Sequence, residues 1–355
     1  MNRPVRAPGL QPVGRVPRPG GEGSWSPSRS GRNRTLPANR SLLTLAVACL
    51  GLLSAGCRPE ATTSDTPAAK PRIALIMKSL ANEFFLTMEN GARAHQKAHP
   101  DQYDLIANGI KDELDVGKQV ELVEQMIAQK VDAIVIAPAD SKALVPICKK
   151  AQQAGVIVIN IDNQFDATVL AQAGVKFPFV GPDNRKGART VAHYLGKQLQ
   201  PGDPVAIIEG APNAFNAVQR KLGFEDALNA AGLKIVSSQS GFWETDRANR
   251  VAAAVITENP NLKAFLCAND SMALGAVAAL RAAGKLDQVL VVGYDNIAAV
   301  KQLLQEGRVL ATVDQHADRL AVFGIEYALE TLKTRAPPAD RETPVDLITK
   351  DTLTP

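Results

Sequence analysis

The chain should fold as an α/β protein of two successive doubly wound lobes, each an open parallel sheet covered by helices. Three features of the sequence say so. From Pro71 onward, short runs rich in Val and Ile alternate with longer amphipathic stretches, punctuated by Gly and Asp, the pattern of repeated β–α units. The apolar runs are continuous and do not alternate with polar residues, as expected of parallel strands buried on both faces. The alternation also closes one series and then begins another, more than a single open sheet needs.

In the first series "RIALIM" leads to a helix over about 83–98, "YDLIAN" to "LDVGKQVELVEQMIAQK", and "VDAIVIAP" to "SKALVPICKKAQQAG"; "VIVINID" ends it. The second series opens on "PFVGPDN", which leads to a helix through Leu199. "PVAIIEG" then precedes "NAVQRKLGFEDALNAAG", "LKIVSSQ" precedes "TDRANRVAAAVITENP", and "LKAFLCAND" precedes "SMALGAVAALRAAG". "QVLVVGYDN" leads to a helix ending near Gly307, "VLATVDQ" to a last long helix, and "PVDLIT" closes the chain. The two series share a plan and no evident sequence repeat.

The 355 residues are 45% hydrophobic, which suits a globular protein large enough for two lobes. The net charge of +4 comes from the N-terminal end: residues 1–40 hold eight Arg and a single acid, Glu22, and the remainder carries more acids than bases. A mildly acidic body gives no electrostatic reason to expect nucleic acid. Residues 42–53 form an apolar stretch too short to span a bilayer, placed after arginines as in a secretion signal. "LSAGC" follows, and its Cys57 resembles the lipobox of bacterial lipoproteins, in which that thiol is diacylated and becomes the new N-terminus. The expectation is therefore a signal peptide over 1–56, a flexible tether over 57–70 without large apolar side chains, and lipid anchorage at Cys57 in the periplasm or at the cell surface. Cys148 and Cys267 lie in apolar periodic segments, where buried free thiols and a disulfide in an oxidising compartment both fit. No metal is expected, since no cysteine spacing suits one and His95 and His99 lack a third ligand and read as a solvated helix face.

In open parallel sheets ligands bind beyond the carboxyl ends of the strands. That rule selects Asn82 with Phe84 and Phe85, Asp140 and Ser141, and Asp162 and Asn163 in the first lobe. In the second it selects the stretch from Asn213 through Asn216 to Arg220, then Trp243, Asn269 and Asp270, Asp295 and Asn296, and Gln315. Planar amides, carboxylates and a guanidinium grip vicinal hydroxyls in pairs, and aromatic faces cover the C–H surface of a sugar ring. Each of these residues also has a structural reading. Asn82 can simply cap a helix, Asp162 and Asp295 can close Asx turns, Arg220 can pair with Glu225 on a helix surface, and Trp243 can plug a loop. Of Phe84 and Phe85 one should be core, because successive helix positions point apart. Asp270 should cap or support while Asn269 reaches the ligand, and Asp183 with Asn184 should form a turn and cap. The chain has no nucleophile elbow, phosphate loop or dinucleotide glycine tract, so neither an enzyme nor a cofactor is expected.

The segments "SLANEFF", "IAPADSKA", "VINIDN", "VGPDN", "NAVQRKLGF", "LCANDSMALGAVAAL", "VVGYDN" and "TVDQ", in this order from Arg72 to the end, resemble the periplasmic sugar-binding proteins of the ribose and galactose type that serve ABC importers. The resemblance implies two lobes joined by a three-strand hinge: 71–182 with 316–343, and 183–315 with 344–355. It implies a monomer that closes over a monosaccharide and delivers it to an ABC permease. Asn82 should bond ring hydroxyls, Phe84 and Phe85 should include a stacking ring, and Asp162 should accept from two hydroxyls. Arg220 should donate to the ring oxygen or a hydroxyl, Trp243 should stack from the second lobe, and Asn269, Asp295 and Gln315 should complete that half-site. Asn216 stands where galactose-type relatives have an acid. Ala137 stands where ribose-type members often carry Asn, and Asn163 where they carry Arg, which points away from ribose itself. Other roles for the same architecture are a sensor that presents the sugar to a chemotaxis or histidine-kinase partner, and a repressor-type effector domain, which would need a helix-turn-helix before Arg72.

Overall fold

The computed structural model describes residues 69–353. The signal sequence, Cys57 and all but the last two residues of the expected tether lie outside them.

Two six-stranded sheets carry the fold. The first runs β11 (Arg341–Thr343), β5 (Phe179–Pro182), β4 (Ile157–Ile161), β3 (Ala133–Ile136), β1 (Arg72–Ser79), β2 (Asp104–Ile110), parallel throughout. The second runs β12 (Asp346–Thr349), β10 (Ala311–Asp314), β9 (Leu290–Val292), β8 (Ala264–Cys267), β6 (Pro204–Glu209), β7 (Lys234–Ser240), with only β12 antiparallel to its neighbour. The central strands β1, β3, β6 and β8 are buried almost end to end, which is why their sequences are unbroken apolar runs.

The chain passes between the sheets three times: after β5 into α5 (Asn184–Gly196), after β10 into α10 (Ala317–Thr334), and between β11 and β12. Helix α5 packs on α6 (Phe215–Ala230) and reaches β10 and β12, whereas α10 packs on α1 (Glu83–Ala98) and on β3 and β4. Each lobe thus completes its core with a helix that follows a crossing.

Several elements differ from expectation. "PFVGPDN" does not open the second sheet: its strand β5 pairs with β4, Ile161 opposite Val180, and the chain leaves the first lobe only afterwards. An apolar tetrapeptide fits either sheet, and the neighbouring strand decides. Strands β2 and β7 are sheet edges and only partly buried, as the polar residues in "DLIANGI" and "KIVSSQS" require. A short helix α4 (Ala167–Ala173) is capped by Asp166 and ended by Gly174 in the left-handed conformation (φ 66°). Its Val169, Leu170 and Ala173 pack on the core only partly buried, and its seven residues are too few to show a helical period. Strand β11, "RET", has no apolar run either and is held by its register against β5.

Cys148 and Cys267 are both buried free thiols, so the disulfide does not form. His95 is not on a solvated face: its Nδ1 lies 2.8 Å from the hydroxyl of the buried Tyr103. Among the described residues no helix is long and apolar enough to cross a membrane.

Candidate ligand-binding site

The carboxyl ends of both sheets face one another across a small cavity. Backbone conformation aims side chains into it. Asp162 follows β4 at φ 61°, Trp243 follows β7 at φ 70°, and Asp295 follows β9 at φ 130°. Left-handed backbone at non-glycine residues is costly, of order 1–3 kcal/mol each, and persists where the surroundings over-determine it. Gly210 makes room for the indole, since a Cβ there would overlap the Trp243 ring.

One wall is built at the start of α1. Asn82 is its N-cap, accepting from Phe84 N–H at 3.1 Å, and it also lines the cavity, so capping and access to a ligand share one residue. Phe84 and Phe85 meet edge to face with centroids 5.1 Å apart. Both are buried and both line the cavity. The expected division into one core ring and one site ring does not hold, since each ring is both buried and on the cavity lining.

Arg220 anchors the second lobe. It does not pair with Glu225; Lys221 lies 3.8 Å from that carboxylate instead. The Arg220 guanidinium donates to Asn184 Oδ1 (2.8 Å), Ala268 O (2.8 Å) and Gln315 Oε1 (3.0 Å), and stacks 3.8 Å over the Tyr294 ring. Gln315 Nε2 in turn donates to Asp295 Oδ1 at 2.6 Å, 3.6 Å from the guanidinium. Asn184, which should have been part of a turn, is buried and orients this arginine; Asp183 does cap α5. Asn269 caps α8 (Asp270–Ala282), accepting from Met272 N–H at 2.9 Å, and lines the cavity too. Asp270 instead accepts from Thr312 Oγ1 and Ile297 N–H beneath the site.

A second charged pole was not foreseen. Lys78, in β1, and Glu113, before α2 (Val116–Ala128), are both buried cavity residues. Lys78 Nζ lies 3.2 Å from Asp162 Oδ2 and 4.0 Å from Glu113 Oε2. Neither contact is a hydrogen bond: Asp162 Oδ2 is close but misaligned and stays unpartnered, as does Asn216 Oδ1. Asn82 Nδ2 donates to Glu113 Oε1 at 3.4 Å. The signal in the sequence was a lysine directly after the apolar run "IALIM", at the carboxyl end of a buried strand, where an unpaired charge would be expensive.

Burial dominates the titration of the site. It pushes Glu113 up to about 7, Lys78 opposing and Asp162 reinforcing. It holds Asp295 well above the usual carboxylate range despite Arg220, and Asp270 at about 6.

Of the residues selected at the strand ends, Asn163 lies off the cavity lining, as do Asp140, Ser141, Asn213, Asp270 and Asn296. Asn163 Nδ2 donates to Pro138 O at 2.8 Å, and its Oδ1 accepts from Asn216 N–H of the other lobe at 3.1 Å. It joins a seam that also holds Asp140 to Asn213 Nδ2 (2.8 Å), Ser141 Oγ to Phe215 N–H (2.9 Å) and Glu83 Oε1 to Ala298 N–H (2.7 Å). The lobes are closed on one another. Among the described residues no group of three or more His, Cys, Asp or Glu side chains is placed to hold a metal ion.

Two parallel-sheet lobes shut over a small cavity of paired polar groups and rings define a two-lobed solute receptor. The chain belongs to the periplasmic binding protein family, whose domain matches residues 73–336. It is 58% identical to the D-ribose/D-allose-binding protein of Pseudomonas aeruginosa, over 88% of this chain and 98% of that one. An ABC transporter solute-binding protein from Burkholderia multivorans superposes with a TM-score of 0.78 at 61% identity, over 79% of this chain and 100% of that one. A periplasmic solute-binding protein of an ABC transporter from Actinobacillus succinogenes, solved with bound D-allose, gives 0.76 at 39% identity, over 80% and 99%. The family expected from the sequence segments is the family found, and these relatives are binding proteins, not enzymes.

Proposed function

We propose that this chain captures a single monosaccharide of the D-allose or D-ribose class between its lobes and delivers it to an ABC permease. One observation carries the reading. A buried cavity presents unpartnered carboxylate and amide acceptors, Asp162 Oδ2 and Asn216 Oδ1, beside three aromatic rings, Phe84, Phe85 and Trp243. Ring faces cover the C–H surface of a pyranose while the acceptors take its hydroxyls. The names of the relatives support the same class of ligand. In this reading the first lobe holds the sugar, the second swings onto it about the three crossings, and the seam through Asn163 forms on closure. In this reading the lobes comprise 71–182 with 316–343, and 183–315 with 344–355, a division that the three crossings support. The role is that of a monomer held at the periplasmic face of a membrane through lipid on Cys57.

Titration calorimetry with D-allose and D-ribose tests it, alongside thermal unfolding. A receptor gives one site per chain and a melting temperature that rises with ligand concentration by mass action, equivalent to about 2.7 kcal/mol at a hundredfold excess over Kd. No heat and no shift with either sugar would remove the reading.

A further inference from the structure

We propose that Glu83, Ser141 and Asn163 set the affinity for sugar without touching it, by supplying from the first lobe the N-caps that two helices of the second lobe lack. The inference rests on the reading of the chain as a receptor that shuts over a monosaccharide, and it names residues that hold it shut.

The first N–H groups of a helix have no partner within it and are usually met by a side chain just before the first turn. Helices α5 and α8 of the second lobe follow that rule, with Asp183 and Asn269. Helices α6 and α9 (Ala298–Gln305) do not. Their N-cap positions hold Ala214 and Ile297, whose side chains cannot accept, and neither helix has an acid in its first turn. The missing acceptors come from across the cleft. Ser141 Oγ accepts from Phe215 N–H at 2.9 Å and Asn163 Oδ1 from Asn216 N–H at 3.1 Å, the first two N–H groups of α6. Glu83 Oε1 accepts from Ala298 N–H at 2.7 Å, the first of α9, and brings a carboxylate to the positive end of that helix.

None of the three acceptors lines the sugar cavity. Glu83 follows β1, Ser141 follows β3 and Asn163 follows β4, all in the first sheet, whereas α6 follows β6 and α9 follows β9 in the second. No bond of the three survives when the sheets part. An open receptor leaves these N–H groups to water, and a shut one satisfies them from the other lobe. Each cap therefore acts on the closing equilibrium alone. Observed affinity scales with how readily the shut form is reached, so the loss of a cap weakens every sugar by one factor, whatever its hydroxyls.

Titration calorimetry with D-allose and D-ribose on the wild type, Glu83→Ala, Glu83→Gln and Ser141→Ala, together with thermal unfolding of each apo protein, tests this. Glu83→Ala and Ser141→Ala should each weaken both sugars by the same factor, about 2- to 30-fold, the usual contribution of a cap. Glu83→Gln keeps an acceptor without its charge and should lose less. The apo melting temperature should not move, since the open form makes none of these bonds. Added salt should shrink the Glu83→Ala penalty and leave that of Ser141→Ala, because only the first cap is charged. Wild-type affinity in both alanine variants overturns the inference. So does a changed ratio of the two sugar affinities, the mark of a residue that touches the ligand. An apo melting temperature that falls as far as that of the sugar-bound protein also overturns it, being the mark of a cap with no part in closure. A wild type that binds neither sugar overturns the receptor reading itself, and the inference with it.

Discussion

Asp162 illustrates how one side chain can be costly in the empty protein and useful in the filled one. It is buried, held at φ 61°, and its Oδ2 lacks a hydrogen bond although Lys78 stands 3.2 Å away. A sugar hydroxyl would relieve that deficit. Asp162→Asn tests this better than Asp162→Ala, because Asn tolerates the left-handed backbone that Ala does not. Replacing the charged acceptor should weaken D-allose about tenfold or more in calorimetry, and apo stability should fall too, because the buried Lys78 loses its nearest anion. Arg220 serves more partners still. Its guanidinium ties Asn184, Ala268 and Gln315 together in the apo protein. Arg220→Met leaves Asn184 Oδ1, Ala268 O and Gln315 Oε1 buried without their donor, so unfolding in urea should show a loss of about 3 kcal/mol or more as well as lost binding.

At the scale of elements, helix α1 couples fold and site through its cap. Asn82→Ala removes the bond to Phe84 N–H and should lower stability by about 1 kcal/mol while also weakening the sugar, whereas Asn82→Ser should restore the stability alone. The strand–helix order was legible because buried parallel strands write themselves as Val- and Ile-rich runs and the helices as amphipathic ones. What escaped notice had a weaker signature: α4 is seven residues long and packs on the core only partly buried, and β11 is three residues of "RET". The polar ends of strands were legible too, since the strand-end rule and the family order pointed at Asn82, Asp162, Arg220, Asn269, Asp295 and Gln315, all of which the structure places on one cavity. Lys78 and Glu113 were not, because a charge is recognised as buried only when its three-dimensional partners are known. Asn163 misled for the converse reason. Adjacent to Asp162 in sequence, it sits where the backbone has already turned away, and its amide serves Pro138 and Asn216 N–H.

For the whole molecule, the three buried carboxyls make stability a function of pH. Glu113 has an ordinary value of 4.5 and is pushed up to about 7 by burial; Asp270 moves from 3.8 to about 6, and Asp295 moves in the same direction. Between the ordinary and the raised values the folded chain holds protons that the unfolded chain has released. Stability from these groups is therefore fully present below the ordinary values and is lost as pH rises through the raised ones. For Glu113, fully buried, the shift corresponds to roughly 3 kcal/mol at about 1.4 kcal/mol per unit. The apo protein should resist urea best near pH 4 and less at pH 8, with the steepest decline between about pH 4.5 and 6, where Glu113 and Asp270 both hold protons that the unfolded chain has released. Glu113→Gln cannot ionise, so its urea midpoint should decline less over that interval and overtake the wild type near pH 8. Parallel profiles for the two proteins would mean that the Glu113 carboxyl is stabilised in its charged form by Lys78 after all, and that burial does not govern this site.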